Sequence, residues 1–161
     1  MKKRVSSSLT LYFESLFPKT FQRGVRHNLA VIGMGGNVGD VRRRFKKVVV
    51  NLQKNPSIRI VKSGPILKNP PFGFKEQPDF YNTVILVDTK LSPKELLKRL
   101  LYIEKRYKRV RTFKNAPRTL DLDIIFYNDL KLRSSELNIP HPFWNERESV
   151  IIPLKFLGEI G

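Results

Sequence analysis

Two stretches of helical periodicity, each set between short apolar runs, constrain this chain to a layered α+β architecture. Val41, Phe45, Val48, Val49 and Leu52 recur at helical spacing, while Arg42, Arg43, Arg44, Lys46 and Lys47 fill the opposite face. Asp40 is a good cap for this helix, and Asn55-Pro56-Ser57 stops it. A second stripe, Leu96, Leu97, Leu100, Leu101 and Ile103, runs out to about Tyr107. Its start carries a capping box: Ser92 at the cap, Pro93 at the first helical position and Glu95 three residues after the cap. Strand-length apolar runs cover 29–32, 58–63, 80–88 and 119–127. Between the second and third lies a loop, 68–79, stiffened by Pro70, Pro71, Pro78 and Gly73. The order strand, helix, strand, strand, helix, strand predicts a ferredoxin-like β-α-β-β-α-β sandwich, an antiparallel sheet with both helices on one face. After residue 127 the sequence predicts loop and one short apolar segment, 150–156. Residues 1–27 have weak periodicity and are expected to form an N-terminal extension to a single domain over 28–161.

Composition narrows the function classes. At 161 residues with 40% apolar content the chain is long enough for one real core. Without cysteine it has neither disulfides nor thiolate metal sites, which fits a reducing compartment such as the cytoplasm. No apolar run reaches the roughly 20 residues that span a bilayer, so no membrane partner is expected. The basic, partly apolar start resembles a signal peptide only superficially, because Thr10 and Glu14 interrupt it and no small-residue cleavage pattern follows. The net charge of +17 attracts polyanions, and charge alone does not choose between nucleic acid and a nucleoside triphosphate.

The segment Leu120-Asp121-Leu122-Asp123-Ile124-Ile125-Phe126 is more selective. Side chains alternate along a strand, so Leu120, Leu122, Ile124 and Phe126 are expected on one face and Asp121 and Asp123 on the other, roughly 6–7 Å apart at Cα. Like charges so placed repel and call for neutralisation. Nearby arginines could supply it; so could Mg²⁺, which takes one or two carboxylates and completes its shell with water and phosphate oxygens. Just upstream, seven of the fourteen residues 105–118 are Lys or Arg and none is acidic. A helix C-terminus accounts for Lys105, Arg106 and Lys108. Arg111, Lys114 and Arg118 lie beyond it in a loop closed by Ala116-Pro117, and a cationic loop beside a carboxylate pair is the layout of phosphoryl-transfer sites. The turn 35–40 lacks the G-x-x-x-x-G-K-[ST] phosphate-loop pattern and is expected to be structural.

Ala116-Pro117-Arg118-Thr119-Leu120-Asp121-Leu122-Asp123 resembles the signature of hydroxymethyldihydropterin pyrophosphokinases. Further stretches agree in order: 35–40, Asn69-Pro70-Pro71-Phe72-Gly73, Gln77-Pro78-Asp79-Phe80-Tyr81-Asn82, and Ile139-Pro140-His141-Pro142 with Glu146-Arg147. The resemblance spans about 28–155 and implies the same ferredoxin-like fold. It also implies transfer of the β,γ-diphosphate of ATP to 6-hydroxymethyl-7,8-dihydropterin, leaving AMP. By that resemblance Asp121 and Asp123 would hold two Mg²⁺, with Arg109 and Arg111 joining them as catalytic residues from a mobile loop. Lys114, Arg118 and His141 would contact phosphates, while Glu104 and Ile124 would bind the nucleotide. Phe80 would stack on the pterin, Asn82 would read its hydrogen-bonding edge, and Asn69, Pro70, Phe72 and Arg147 would complete the pocket. The expected partners are then ATP and the pterin alone, acting on a cytoplasmic monomer with no nucleic acid.

Some positions depart from the family's pattern. Gly36 stands where Ser is usual, Asn115 where an aromatic is common, and the loop after Arg111 is about one residue short. Ser149 occupies the place of a second pterin-stacking aromatic, which Trp144 could replace. Two rival readings share parts of this pattern. An RNA-binding protein on the same fold would put aromatics, not Asp121 and Asp123, on the central strand face. A catalytically impaired relative has only Ser149 in its favour.

Overall fold

A computed structural model of the protein describes residues 1–21, 27–110 and 112–158. In chain order the elements are β1 (Lys2–Arg4), β2 (Thr10–Tyr12), β3 (Lys19–Thr20), β4 (Asn28–Gly36), α1 (Val41–Gln53), β5 (Ile58–Ser63) and β6 (Ile66–Asn69). They continue with β7 (Phe80–Thr89), α2 (Pro93–Arg106), β8 (Asp121–Tyr127), β9 (Leu132–Arg133), β10 (Asn138–Ile139) and α3 (Glu148–Lys155). The expected β-α-β-β-α-β succession is present as β4, α1, β5, β7, α2 and β8. All the strand pairings described are antiparallel, with β4 between β7 and β8, and β5 and β6 both pairing with β7.

Both long helices form where their caps allow. Asp40 accepts a hydrogen bond from the Arg43 amide at 3.3 Å, and Ser92 and Glu95 make the reciprocal capping box. The predicted α1 stripe is buried in full; on α2, Leu96, Leu100 and Ile103 are buried while Leu101 rotates into solvent. These stripes meet Ala30, Ile32 and Met34 of β4, Ile85 and Val87 of β7, and Leu122 and Ile124 of β8 in one core.

The opposite sheet face is also covered, which the sequence pattern did not predict. The segment expected as a short apolar run is helix α3, and Val150, Leu154 and Leu157 pack there against Leu29, Val31, Val84 and Leu86. The N-terminal residues are likewise part of the sheet: β2 pairs with β6 and β3 with β5.

Two expectations for the central strands change. Gly35 and Gly36 belong to β4 rather than to a turn, paired with Asn82 and Tyr81. They tolerate close neighbours because they have no side chain: a Cβ on Gly35 would lie 2.6 Å from Asn82 Oδ1, and one on Gly36 2.7 Å from the Thr119 carbonyl. In β8, a bulge at Ile125 shifts the register against β4, so that Ile32 faces Ile124 and Val31 faces Phe126. Phe126 therefore leaves the Leu120–Leu122–Ile124 face and packs edge-on against Trp144 on the other side, at 4.7 Å between ring centroids.

Candidate active site

The strand alternation holds through the part of β8 that matters most. Leu120 and Leu122 point into the core, and Asp121 and Asp123 stand on the opposite face. Their partners across the ladder are Gly35 and Gly33, so no β4 side chain fills the space beside either carboxylate. Gly35 also pairs with Asn82 on its other side. Asn82, Gly35 and Asp121 thus form one transverse row across three strands.

The electrostatics of the two carboxylates differ. Asp121 is held by two guanidiniums, Arg109 at 3.3 Å and Arg118 at 3.3 Å. Arg109 also donates to the Leu120 carbonyl at 2.9 Å, and Arg118 to the Ala116 carbonyl at 3.0 Å, so both arginines are fixed by backbone as well. Among the described residues Asp123 has no comparable guanidinium pair; its nearest basic neighbour there is the His141 imidazole, at 4.0 Å. Protein packed around the Asp123 carboxyl, then the negative charges of Asp121 and Glu104, push its pKa well above the usual carboxylate range, against Arg147 and Arg109. Yet 42% of its side-chain surface reaches the cleft, so a cation has access to it. His141 is pushed the other way, chiefly by burial and then by Arg147, which favours the neutral imidazole. The bulge places this residue, since the His141 amide donates to the Ile125 carbonyl at 2.9 Å.

Two cavities meet at Asp121. One, of about 350 Å³, is bordered by Asn69, Pro70, Phe72, Phe80, Asn82, Arg147 and Ser149. Its polar edge is ordered by Asn82, which donates to Asn69 Oδ1 at 2.7 Å. Phe80 lies under Arg118 at 5.3 Å, and Phe72 under Arg147 at 5.4 Å. The second cavity, about 420 Å³, is bordered by Arg109, Lys114, Arg118, Asp121, Asp123, His141 and Arg147. Arg118, Asp121, Arg147 and Asn115 line both. The first is a flat-sided pocket of aromatic rings and amides, of a size that suits a small ligand; the second is a cationic cleft with a carboxylate pair on its floor.

The structure therefore brings together Asn69, Pro70, Phe72, Phe80, Asn82, Arg109, Lys114, Arg118, Asp121, Asp123, His141 and Arg147. Arg111 lies outside the described residues. Glu104 and Ile124 are placed differently: Ile124 is in the helix-facing core, and Glu104 is 3% exposed beneath β8. There the Glu104 carboxylate accepts from the Leu122 amide at 2.7 Å, between the two aspartates. Trp144 does not border the small-ligand pocket, its ring being engaged with Phe126.

Sequence reasoning missed how the two site loops are joined. Asn37, buried at the turn after β4, donates to Gln77 Oε1 (2.8 Å) and the Pro78 carbonyl (2.9 Å), and accepts from the Arg118 amide (2.9 Å). Gln77 donates onward to the Asn115 carbonyl at 2.8 Å. An amide side chain directly after the Gly35-Gly36 pair was the available signal, because such a group requires partners once buried.

The donor set fits Mg²⁺. Hard carboxylate oxygens share an open strand face, and burial, then the charges of Asp121 and Glu104, disfavour the ionised form of Asp123, a penalty that a bound cation would relieve. Among the described residues no three His, Cys, Asp or Glu side chains gather as a full ligand cage.

Comparison with known proteins decides between the readings of this geometry. The model of the family described as 7,8-dihydro-6-hydroxymethylpterin-pyrophosphokinase (HPPK) matches residues 31–159. The chain belongs to this family. HPPK members are diphosphotransferases that use ATP as a substrate, with magnesium the expected metal. Two curated relatives carry the name 2-amino-4-hydroxy-6-hydroxymethyldihydropteridine pyrophosphokinase. That of Helicobacter pylori is 41% identical over 145 residues, covering 89% of this chain and 87% of the relative. That of Campylobacter jejuni is 43% identical over 146 residues, covering 89% and 93%. A Bacillus subtilis HPPK of the same name is 34% identical over 128 residues, covering 80% and 77%.

Proposed function

We propose that this chain transfers the β,γ-diphosphate of ATP to the hydroxymethyl oxygen of 6-hydroxymethyl-7,8-dihydropterin, a step of folate biosynthesis, with the residues at the junction of the two cavities carrying out the transfer. The observation that supports this assignment is that junction: an aromatic and amide pocket opens onto a cationic cleft at Asp121, where an attacking hydroxyl and a phosphate chain can meet.

The first cavity takes the pterin. Phe80 stacks on the bicyclic ring, and Asn82, oriented by Asn69, pairs with its amide edge. The ring's hydroxymethyl arm then points along the Asn82–Gly35–Asp121 row toward the second cavity. The cleft takes the triphosphate, with Lys114, Arg118, His141 and Arg147 as its donors. A neutral His141 donates or accepts one hydrogen bond without adding charge. Asp121 and Asp123 are the carboxylates that would hold two Mg²⁺, and those ions, when bound, neutralise phosphate charge. Arg109 and Arg118, which pair with Asp121 at 3.3 Å each, would turn to phosphate oxygens once a cation took their place at that carboxylate. Glu104 acts by holding β8 in place beneath the site. Catalysis is then positioning plus charge stabilisation with no covalent enzyme intermediate. We take the working form to be a cytoplasmic monomer.

The test is product analysis. The unchanged protein with ATP and Mg²⁺ is expected to release AMP only when the pterin is present, with no ADP. Release of ADP, or AMP release that ignores the pterin, refutes the assignment.

A further inference from the structure

Two residues on the wall of the aromatic pocket, Ser8 and Leu9, lie outside the span matched by the family. They belong to the turn between β1 and β2, and this turn is tightly built. Arg4 pairs with Thr10 across the hairpin, and the Val5 and Ser6 amides both donate to the Leu9 carbonyl, at 2.8 and 3.2 Å. The Arg4 guanidinium closes the tip by donating to the Ser6 and Ser7 carbonyls, at 3.1 and 3.3 Å.

The hairpin is also fixed to the domain. β2 extends the sheet beyond β6, with Thr10 opposite Lys68 and Leu11 opposite Leu67. Leu9, Leu11 and Leu67 form a buried cluster against Phe13 and Ile152 of α3. Following the register one residue past Thr10 brings Leu9 to Asn69, the residue that orients Asn82. The same pocket is bordered by Ser149, a short side chain where the family resemblance leads one to expect an aromatic ring.

We infer that the N-terminal hairpin is part of the pterin site, with Leu9 supplying apolar wall that Ser149 does not, so that residues 1–12 help set pterin affinity. This rests on the reading of the aromatic pocket as the pterin site. It makes Leu9 a specificity-determining residue contributed from outside the span that the family model matches.

The experiment compares Leu9→Ala, Leu11→Ala and Ser8→Trp in the full chain. It reads the KM for pterin, the KM for ATP, thermal stability, and binding of 6-hydroxymethylpterin by fluorescence. Leu11 is buried in the same cluster but does not line the pocket, so Leu11→Ala reports hairpin destabilisation alone. Ser8 is exposed, so Ser8→Trp crowds the pocket without disturbing the core. Leu9→Ala and Ser8→Trp are each expected to weaken pterin binding and raise the pterin KM about five- to tenfold, with the ATP KM within about twofold. Leu11→Ala is expected to lower stability and leave both KM values within about twofold. Equal pterin effects in Leu9→Ala and Leu11→Ala, or no pterin effect in either Leu9→Ala or Ser8→Trp, overturn the inference. An unchanged protein that makes no pterin-dependent AMP overturns the functional reading beneath it instead.

Discussion

Replacing Glu104 by Ala tests how the carboxylate strand is held. β8 pairs with β4 on one side only, so an outward-facing amide in it has no ladder partner. The Leu122 amide finds one in the Glu104 carboxylate, at 2.7 Å and buried from water. Glu104→Ala strands that amide, which costs about 1–3 kcal/mol, with the upper part appropriate to a charged acceptor. Removing a carboxylate that repels Asp123 offsets some of this, leaving a net loss of about 2 kcal/mol. For a chain of this length each kcal/mol shifts the melting temperature by about 2–4 °C, so the expected fall is about 4–8 °C. Glu104→Gln keeps an acceptor oxygen and is expected to recover at least half of that difference. Circular dichroism melts measure it, and turnover should fall with the melting temperature because the aspartates lose their fixed spacing. A melting temperature for Glu104→Ala within about 1 °C of the parent, or Gln as damaging as Ala, refutes the positioning role.

Two further outcomes follow from the site's geometry. The folded pKa of Asp123 is raised, so through the window above the usual carboxylate range the folded chain keeps a proton that the unfolded chain has lost; stability therefore falls as pH rises through that window. Metal-free parent protein should lose more thermal stability than Asp123→Asn between about pH 5 and pH 8, and Mg²⁺ should restore stability at the higher pH in the parent alone; parallel pH profiles would contradict this. Gly35→Ala would put a methyl 2.6 Å from Asn82 Oδ1, so it should displace that amide and weaken pterin binding at least about tenfold while sparing ATP binding; unchanged pterin affinity would argue against the Asn82 assignment.

What was legible in the sequence was whatever local chemistry determines alone. The Ser92–Glu95 box sets the start of α2 whatever packs against it, and strict alternation put Asp121 and Asp123 on one face before any partner was known. The bulge at Ile125 was not legible, because no Gly or Pro marks it; it arises from matching β8 to β4, and with it go the positions of Phe126 and His141. Helix α3 was hidden by Pro153, which argues against a helix locally but lies buried inside one. The N-terminal strands are two or three residues long, too short to show a period; β2 and β3 owe their place in the sheet to β6 and β5, and β1 pairs with β2. The Asn37–Gln77 link joins residues 40 apart in sequence, and the Arg109 half of the clamp on Asp121 depends on how the loop between them folds back, so both emerge only on folding.

The most direct test of the account is AMP release from ATP and Mg²⁺, with and without 6-hydroxymethyl-7,8-dihydropterin, in the parent and in Asp121→Ala. The account predicts pterin-dependent AMP without ADP in the parent, and a loss of at least about a thousandfold in Asp121→Ala with pterin still bound. Undiminished AMP release by Asp121→Ala would contradict it.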